Sequence, residues 1–190
     1  MTVLVGFVFF GLFSPGPNVI LLTTSGARFG FRATLPHLLG VALGVGVIAF
    51  VTALGLGALL EGAPRLRFAL TVIAACWILW MAWKLWNAPP IQTQGSDRPF
   101  SFLEAILFQW VNPKIWAVAL SASVLVPDLS LIAQAGILAI TFSVTNLFVC
   151  LFWTYAGSLL KSLLVDPIKW QIFMRGMALA LVCFSALVFL

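Results

Sequence analysis

Ser14-Pro15-Gly16-Pro17-Asn18 interrupts an apolar stretch that is otherwise long enough to cross a bilayer. The flanking runs, Val3 to Phe13 and Val19 to Thr24, together match a hydrocarbon core of about 30 Å at the rise of an α-helix, with the break near its middle. Each proline removes a backbone donor and clashes with the carbonyl four residues earlier, so the carbonyls of Gly11 and Phe13 are expected to lose their helical partners. In hydrocarbon such groups are tolerated only where protein or a polar cavity receives them. Two readings stand. One is a transport site built on two new half-helix ends; the other is a plain proline kink relieved by Ser14 and neighbouring helices.

The surroundings of that break are apolar. Of the 190 residues, 63% are hydrophobic and 8% charged, whereas a soluble domain carries roughly a quarter charged. With a mean hydropathy of +1.15, the chain is expected to be an all-α polytopic membrane protein whose main partner is the lipid bilayer. Its net charge of +5 then reflects basic residues in cytoplasmic loops, not nucleic-acid binding. No basic region precedes the first apolar run, so that segment is expected to remain as a membrane helix instead of being cleaved as a signal peptide. Cys76, Cys150 and Cys183 all lie inside apolar runs, which leaves no disulfide framework. No cysteine or histidine cluster has metal spacing and no phosphate loop, triad or paired-carboxylate site is present, so neither metal, cofactor nor enzyme chemistry is expected. His37, the single histidine, stands beside Pro36 and reads as a capping or interfacial residue at a membrane edge.

Apolar segments at about 1–24, 38–60, 67–87, 101–126, 131–160 and 172–190 give six expected transmembrane helices. The polar stretch from Asn87 to Pro99 reads as a linker, dividing the chain into residues 1–87, a cytoplasmic linker 88–100 and residues 101–190. Arg28, Arg32, Lys84, Arg98, Lys161, Lys169 and Arg175 fall in or beside loops one, three and five. Loop two sets Arg65 and Arg67 against Glu61, and loop four has Asp128 with no base. The positive-inside rule makes the odd loops cytoplasmic and both termini periplasmic. A shift of 96 residues (113 − 17 = 96) places Pro17 on Pro113, Gly16 on Asn112, Asn18 on Lys114 and Gly40 on Gly136. Three helices per half means that the halves insert in opposite orientations, an inverted repeat with helices 1 and 4 broken.

The second break, around Asn112-Pro113-Lys114, frees the carbonyl of Gln109 and sets Lys114 deep in the fourth run. A lysine near the bilayer centre costs about 2.5–3.5 kcal/mol on insertion scales, so it calls for a cavity or a partner. It either pairs with a substrate carboxylate or an exchanged proton, or it snorkels between Trp110 and Trp116. Asn18, Gln109, Asn112 and Thr23 or Thr24 supply neutral hydrogen-bonding groups near the breaks. Asn146 is read equally as a substrate contact and as a tie between two helices. Glu104, only a few residues inside its run, reads as a solvated or loop-paired carboxylate more than as a proton carrier. Gly40, Gly44 and Gly57 read as packing positions that allow a homodimer without demanding one.

These motifs resemble the LysE/RhtB family of bacterial amino-acid exporters. The resemblance rests on residues 14–18, on Ser25 to Arg32, on Gly40 to Gly44, on Trp80 to Trp86 and on Phe102 to Lys114. It is nearest to the cysteine/O-acetylserine exporter branch. It implies six helices in the inner membrane and outward movement of small amino acids, cysteine/O-acetylserine-like or homoserine/threonine-like, driven by proton antiport. The family motif positions it carries over are Pro15, Gly16, Pro17, Asn18, Asn112, Pro113 and Lys114. In the resulting site the substrate carboxylate sits at the half-helix N-terminus near Pro17 and Asn18 with Lys114. The ammonium meets the carbonyls of Gly11, Phe13 and Gln109. With no clear intramembrane acid, neutral substrates are favoured over lysine or arginine. A membrane thiol–disulfide oxidoreductase of inverted-repeat type is the rival reading, but Cys76 shifts onto Ile172 and Cys150 back onto Leu54, so its cysteine pair is missing. A passive pore or accessory subunit remains the other alternative.

Overall fold

The computed structural model describes residues 1–14, 16–56, 62–88, 98–126, 130–160 and 163–187. Pro15, Gly57, Glu61, most of the linker (89–97), Asp128 and Lys161 lie outside the described residues. Among the described residues all regular structure is helical: α1 (Thr2–Phe13), α2 (Pro17–Phe29), α3 (Phe31–Val51), α4 (Pro64–Trp86), α5 (Phe102–Trp110), α6 (Pro113–Ser123), α7 (Leu131–Leu160) and α8 (Pro167–Leu187). A π turn over Thr52–Leu56 follows α3, and a 3-10 turn over Leu163–Val165 precedes α8.

Local chemistry explains the starts. α2, α4, α6 and α8 open on proline, whose missing N–H costs nothing where helical donors have no partner anyway. Asp166 caps α8 by accepting from the N–H groups of Ile168 (2.8 Å) and Lys169 (3.2 Å), which starts that helix at Pro167, earlier than the apolar run alone indicates. α5 begins with a capping box in which the Glu104 N–H donates to Ser101 Oγ and the Ser101 N–H donates to Glu104 Oε2.

Hydropathy placed the first two segments apart, at 1–24 and 38–60, whereas α2 and α3 meet at a single residue, Gly30. Its φ of 87° belongs to the left-handed region that favours glycine, and the sharp corner needs no loop. The Gly30 N–H ends α2 on the Gly26 carbonyl (2.9 Å), while the Gly30 carbonyl accepts from Thr34 Oγ1 (2.9 Å). Arg28 and Arg32 are therefore helix-end residues. His37, expected to cap a helix or lie at an interface, is instead inside α3 and 2% exposed, because the helix starts at Phe31 and carries Pro36 within it.

Phe31–Gly55 and Leu131–Leu160 are each long and apolar enough to cross a membrane. α1 and α2 meet the same length and apolarity only when taken together, bent by 59° at the first break, which is the form of a broken span or of a re-entrant loop. Bulky apolar side chains such as Val3, Phe10, Phe68, Ile132, Phe148 and Ile172 face outward, as a lipid-embedded surface requires.

α3 and α7 form the centre; α2 crosses α7, α5 crosses α3, and α4 packs along α8. Small residues let these backbones touch. A Cβ at Gly157 would overlap the Thr23 carbonyl, one at Gly26 the Thr154 carbonyl, and one at Gly40 the Phe102 carbonyl. Gly136, the partner of Gly40 under the repeat shift, faces open space. One apolar core joins Leu4 and Val8 of α1 to Val41 and Val45 of α3 and Phe142 of α7. A second joins Ile20 of α2 to Ile78 and Met81 of α4 and Trp170 and Met174 of α8.

Candidate functional site

At the first break the Ser14 N–H closes α1 on the Phe10 carbonyl (3.1 Å), and Ser14 Oγ donates to the Gly11 carbonyl (3.0 Å). Gly16 is extended (φ −174°, ψ 179°) and Pro17 begins α2. At the second break the Val111 N–H donates to Phe108 (3.2 Å) and the Asn112 N–H to Gln109 (3.2 Å), after which Pro113 begins α6. The Gly11 and Gln109 carbonyls, expected to be freed, thus accept bonds from their own breaks. A helix end relieves itself locally wherever a hydroxyl or the next N–H can turn back onto it.

Two side-chain links then tie the breaks together across the fold. The Lys114 ammonium donates to the Ser14 carbonyl, and its stem lies over Gly16, where a Cβ would come 2.9 Å from Lys114 Cδ. Asn18 and Gln109 pair reciprocally: Asn18 Nδ2 donates to Gln109 Oε1 (2.8 Å) and Gln109 Nε2 donates to Asn18 Oδ1 (3.2 Å). Gln109 Nε2 also donates to the Ala105 carbonyl (2.9 Å), so this fully buried amide is well satisfied.

The electrostatics of this region favour an anion. Neither α2 nor α6 carries an acid in its first turn, so both helix N-termini keep their partial positive charge. Lys114, second residue of α6, adds a cation where the helix dipole disfavours one; it bonds instead to the C-terminal end of α1, where the dipole favours it. Beside it Asn112 is 1% exposed, and neither its Nδ2 nor its Oδ1 has a partner among the described residues. A buried amide in that condition is a group waiting for a ligand or a water.

Gly16, Pro17, Asn18, Gln109, Asn112, Pro113 and Lys114 therefore sit at the two breaks, which Lys114 and the Asn18–Gln109 pair connect; Pro15 lies outside the described residues. Asn146 stands apart. It is buried on α7 and its Nδ2 reaches the Val41 carbonyl of α3 at 3.5 Å, a tie across the central helix pair. Glu104 is engaged by Arg98 through two bonds (2.7 and 2.8 Å) as well as by the capping box.

A separate cavity of about 330 Å³ opens at the end of the bundle where α2 and α4 finish. Arg28, His37, Lys84, Arg98 and Phe100 line it, and none of the described residues at the breaks does. The sequence offered one signal for it, the lone histidine, which reads as an edge residue until α3 is seen to begin at Phe31.

A family model described as LysE type translocator matches residues 9–190. Among curated proteins, the cysteine/O-acetylserine efflux protein of Salmonella typhimurium is 30% identical over 151 residues, which covers 78% of this chain and 77% of that one. An Escherichia coli protein of the same name is 27% identical over 152 residues, covering 79% and 78%. No solved structure matches.

Proposed function

The chain belongs to the LysE type translocators, and on that premise we propose that it exports small neutral amino acids or their derivatives across the bacterial inner membrane by proton antiport. Relatives named as cysteine/O-acetylserine efflux proteins favour that substrate class over homoserine/threonine-like ones. In this reading the chain spans the membrane six times, with residues 1–87 and 101–190 as two three-helix repeats of opposite orientation joined by the cytoplasmic linker 88–100. Both termini then face the periplasm.

Asn112 carries the reading: a buried, unpartnered amide next to an ammonium at the N-terminus of a half-helix. The substrate carboxylate docks against Lys114 and the N-termini of α2 and α6, displacing the Lys114 bond to the Ser14 carbonyl. Asn112 Nδ2 donates to that carboxylate, and Asn112 Oδ1 accepts from the substrate ammonium. Gly16 keeps Lys114 free to swing, since a side chain there would press on its stem. Asn18 and Gln109 hold the two breaks in register, and Asn146 ties α7 to α3. No acid lies among these residues, so a cationic side chain would find no partner.

The test is uptake of a labelled amino-acid panel into proteoliposomes with and without an imposed pH gradient. Saturable, gradient-driven flux of cysteine, O-acetylserine or similar neutral amino acids supports the carrier. Flux that does not saturate and shows no counterflow points to a pore, and no flux with folded protein removes the reading.

A further inference from the structure

Resting on the export reading, we propose that Trp153 recognises the substrate side chain, its indole N–H donating to an acyl oxygen such as that of O-acetylserine. Trp153 lies on α7, and its ring packs on Phe13 at 5.2 Å between centroids. Phe152 meets it edge to face at 5.4 Å, and Phe13 stacks in turn on Phe9 at 5.2 Å. Phe13 is the last residue of α1, and the carbonyl of the next residue, Ser14, holds the Lys114 ammonium. A substrate whose carboxylate draws Lys114 off that carbonyl thus lies against the end of α1 on which Trp153 is packed.

The hydrogen bonding of the ring is what sets it apart. A buried tryptophan ordinarily finds an acceptor for its N–H. Trp116 and Trp170 do so, donating to the carbonyls of Trp110 (3.1 Å) and Ala88 (3.3 Å). Trp153 Nε1 is buried as well but has no partner among the described residues, and the phenyl rings packed on it carry no oxygen or nitrogen. An enclosed donor left unpaired is a standing penalty that an acceptor on a ligand would lift. In the proposed pose Lys114 and Asn112 take the carboxylate and the ammonium, which leaves the side chain to be read. An acetyl group suits these surroundings: its carbonyl oxygen accepts from the indole, and its methyl lies among the rings of Phe13 and Phe152. A thiol sulfur accepts only weakly, so cysteine gains little from the same donor. A cationic side chain would bring a further donor to a place that already has one too many.

The test crosses a change in the protein with a change in the substrate. Proteoliposome uptake of O-acetyl-L-serine, of O-ethyl-L-serine (the same shape without the acyl oxygen) and of L-cysteine is measured for the wild type and for Trp153→Phe, which keeps an aromatic ring on Phe13 and removes the donor. The wild type should favour the acetyl over the ethyl compound by about three- to tenfold in half-saturating concentration, the worth of one hydrogen bond. Trp153→Phe should erase that preference and leave the half-saturation for cysteine and O-ethylserine within about twofold. A tryptophan that only packs would weaken all three substrates together or none of them, and either pattern overturns the proposal while leaving export standing. So does a wild type that takes up the acetyl and ethyl compounds equally well. Should the phenylalanine variant fail to fold, 3-benzothienylalanine in place of Trp153, which has sulfur where the N–H stood, gives the same comparison with the ring shape retained. No saturable uptake of any amino acid by folded wild-type protein overturns both readings.

Discussion

The reciprocal amide pair between Asn18 and Gln109 allows a quantitative test of how the two breaks are joined. Asn18→Leu leaves Gln109 Oε1 without its donor inside the protein, and Gln109→Leu strands the Asn18 amide. Either orphan costs about 1–3 kcal/mol when it stays buried. Interhelical hydrogen bonds in membrane proteins contribute about 0.6 kcal/mol on average and at most about 1.7 each. Two such bonds in one pair therefore predict a coupling of about 1–2 kcal/mol, with the double variant less damaged than the sum of the singles by that amount. The Gln109 bond to the Ala105 carbonyl is lost in one single and in the double alike, so it cancels in the cycle. Unfolding in mixed micelles, followed by circular dichroism for the four proteins, measures the coupling. Additivity to within about 0.5 kcal/mol would show that the amides do not hold the breaks together and would refute the argument.

Lys114→Met should reduce transport by about tenfold or more at normal protein level, through loss of a charge-assisted contact; undiminished flux in proteoliposomes would contradict the site. Gly157→Ala should destabilise by about 1–3 kcal/mol because its Cβ meets the Thr23 backbone, which has no flexible group to give way. Gly136→Ala on the same helix meets nothing and should instead stabilise by up to about 1 kcal/mol through helix propensity; thermal unfolding of the two variants side by side reads the contrast. Glu104→Gln retains the capping box and removes only an exposed ion pair, so stability should change by less than about 1 kcal/mol and pH-driven transport should persist. Loss of proton coupling in that variant would make Glu104 the carrier.

What could be read from the chain divides along physical lines. The two breaks were legible because proline acts through its own ring and missing donor, whatever surrounds it, and both fall where Pro17 and Pro113 demand. Glu104 was legible as a paired carboxylate because its partners, Ser101 and Arg98, are near in sequence. The Gly30 corner was not, because a hydropathy window averages over a one-residue turn. Nor was the Asn18–Gln109 pair, since nothing local specifies which helix faces which. The cavity was hidden for the same reason: Arg28, His37, Lys84 and Arg98 come from four places in the chain and meet only after α2, α3 and α4 pack.

The crossing of α2 and α7 has a mechanical meaning. Gly26 faces the backbone at Thr154 and Gly157 faces the backbone at Thr23, so each helix is notched where the other passes. Interlocked notches resist sliding, because any translation would drive a neighbouring side chain into main chain; since both notches lie within one turn of each helix, a small tilt displaces this short patch less than the helix ends. In the proposed reading of two halves that alternate access by rocking, this seam is expected to move least, and a cysteine crosslink placed beside Gly26 and Gly157 should leave transport running. One placed between the far ends of the same helices should stop it.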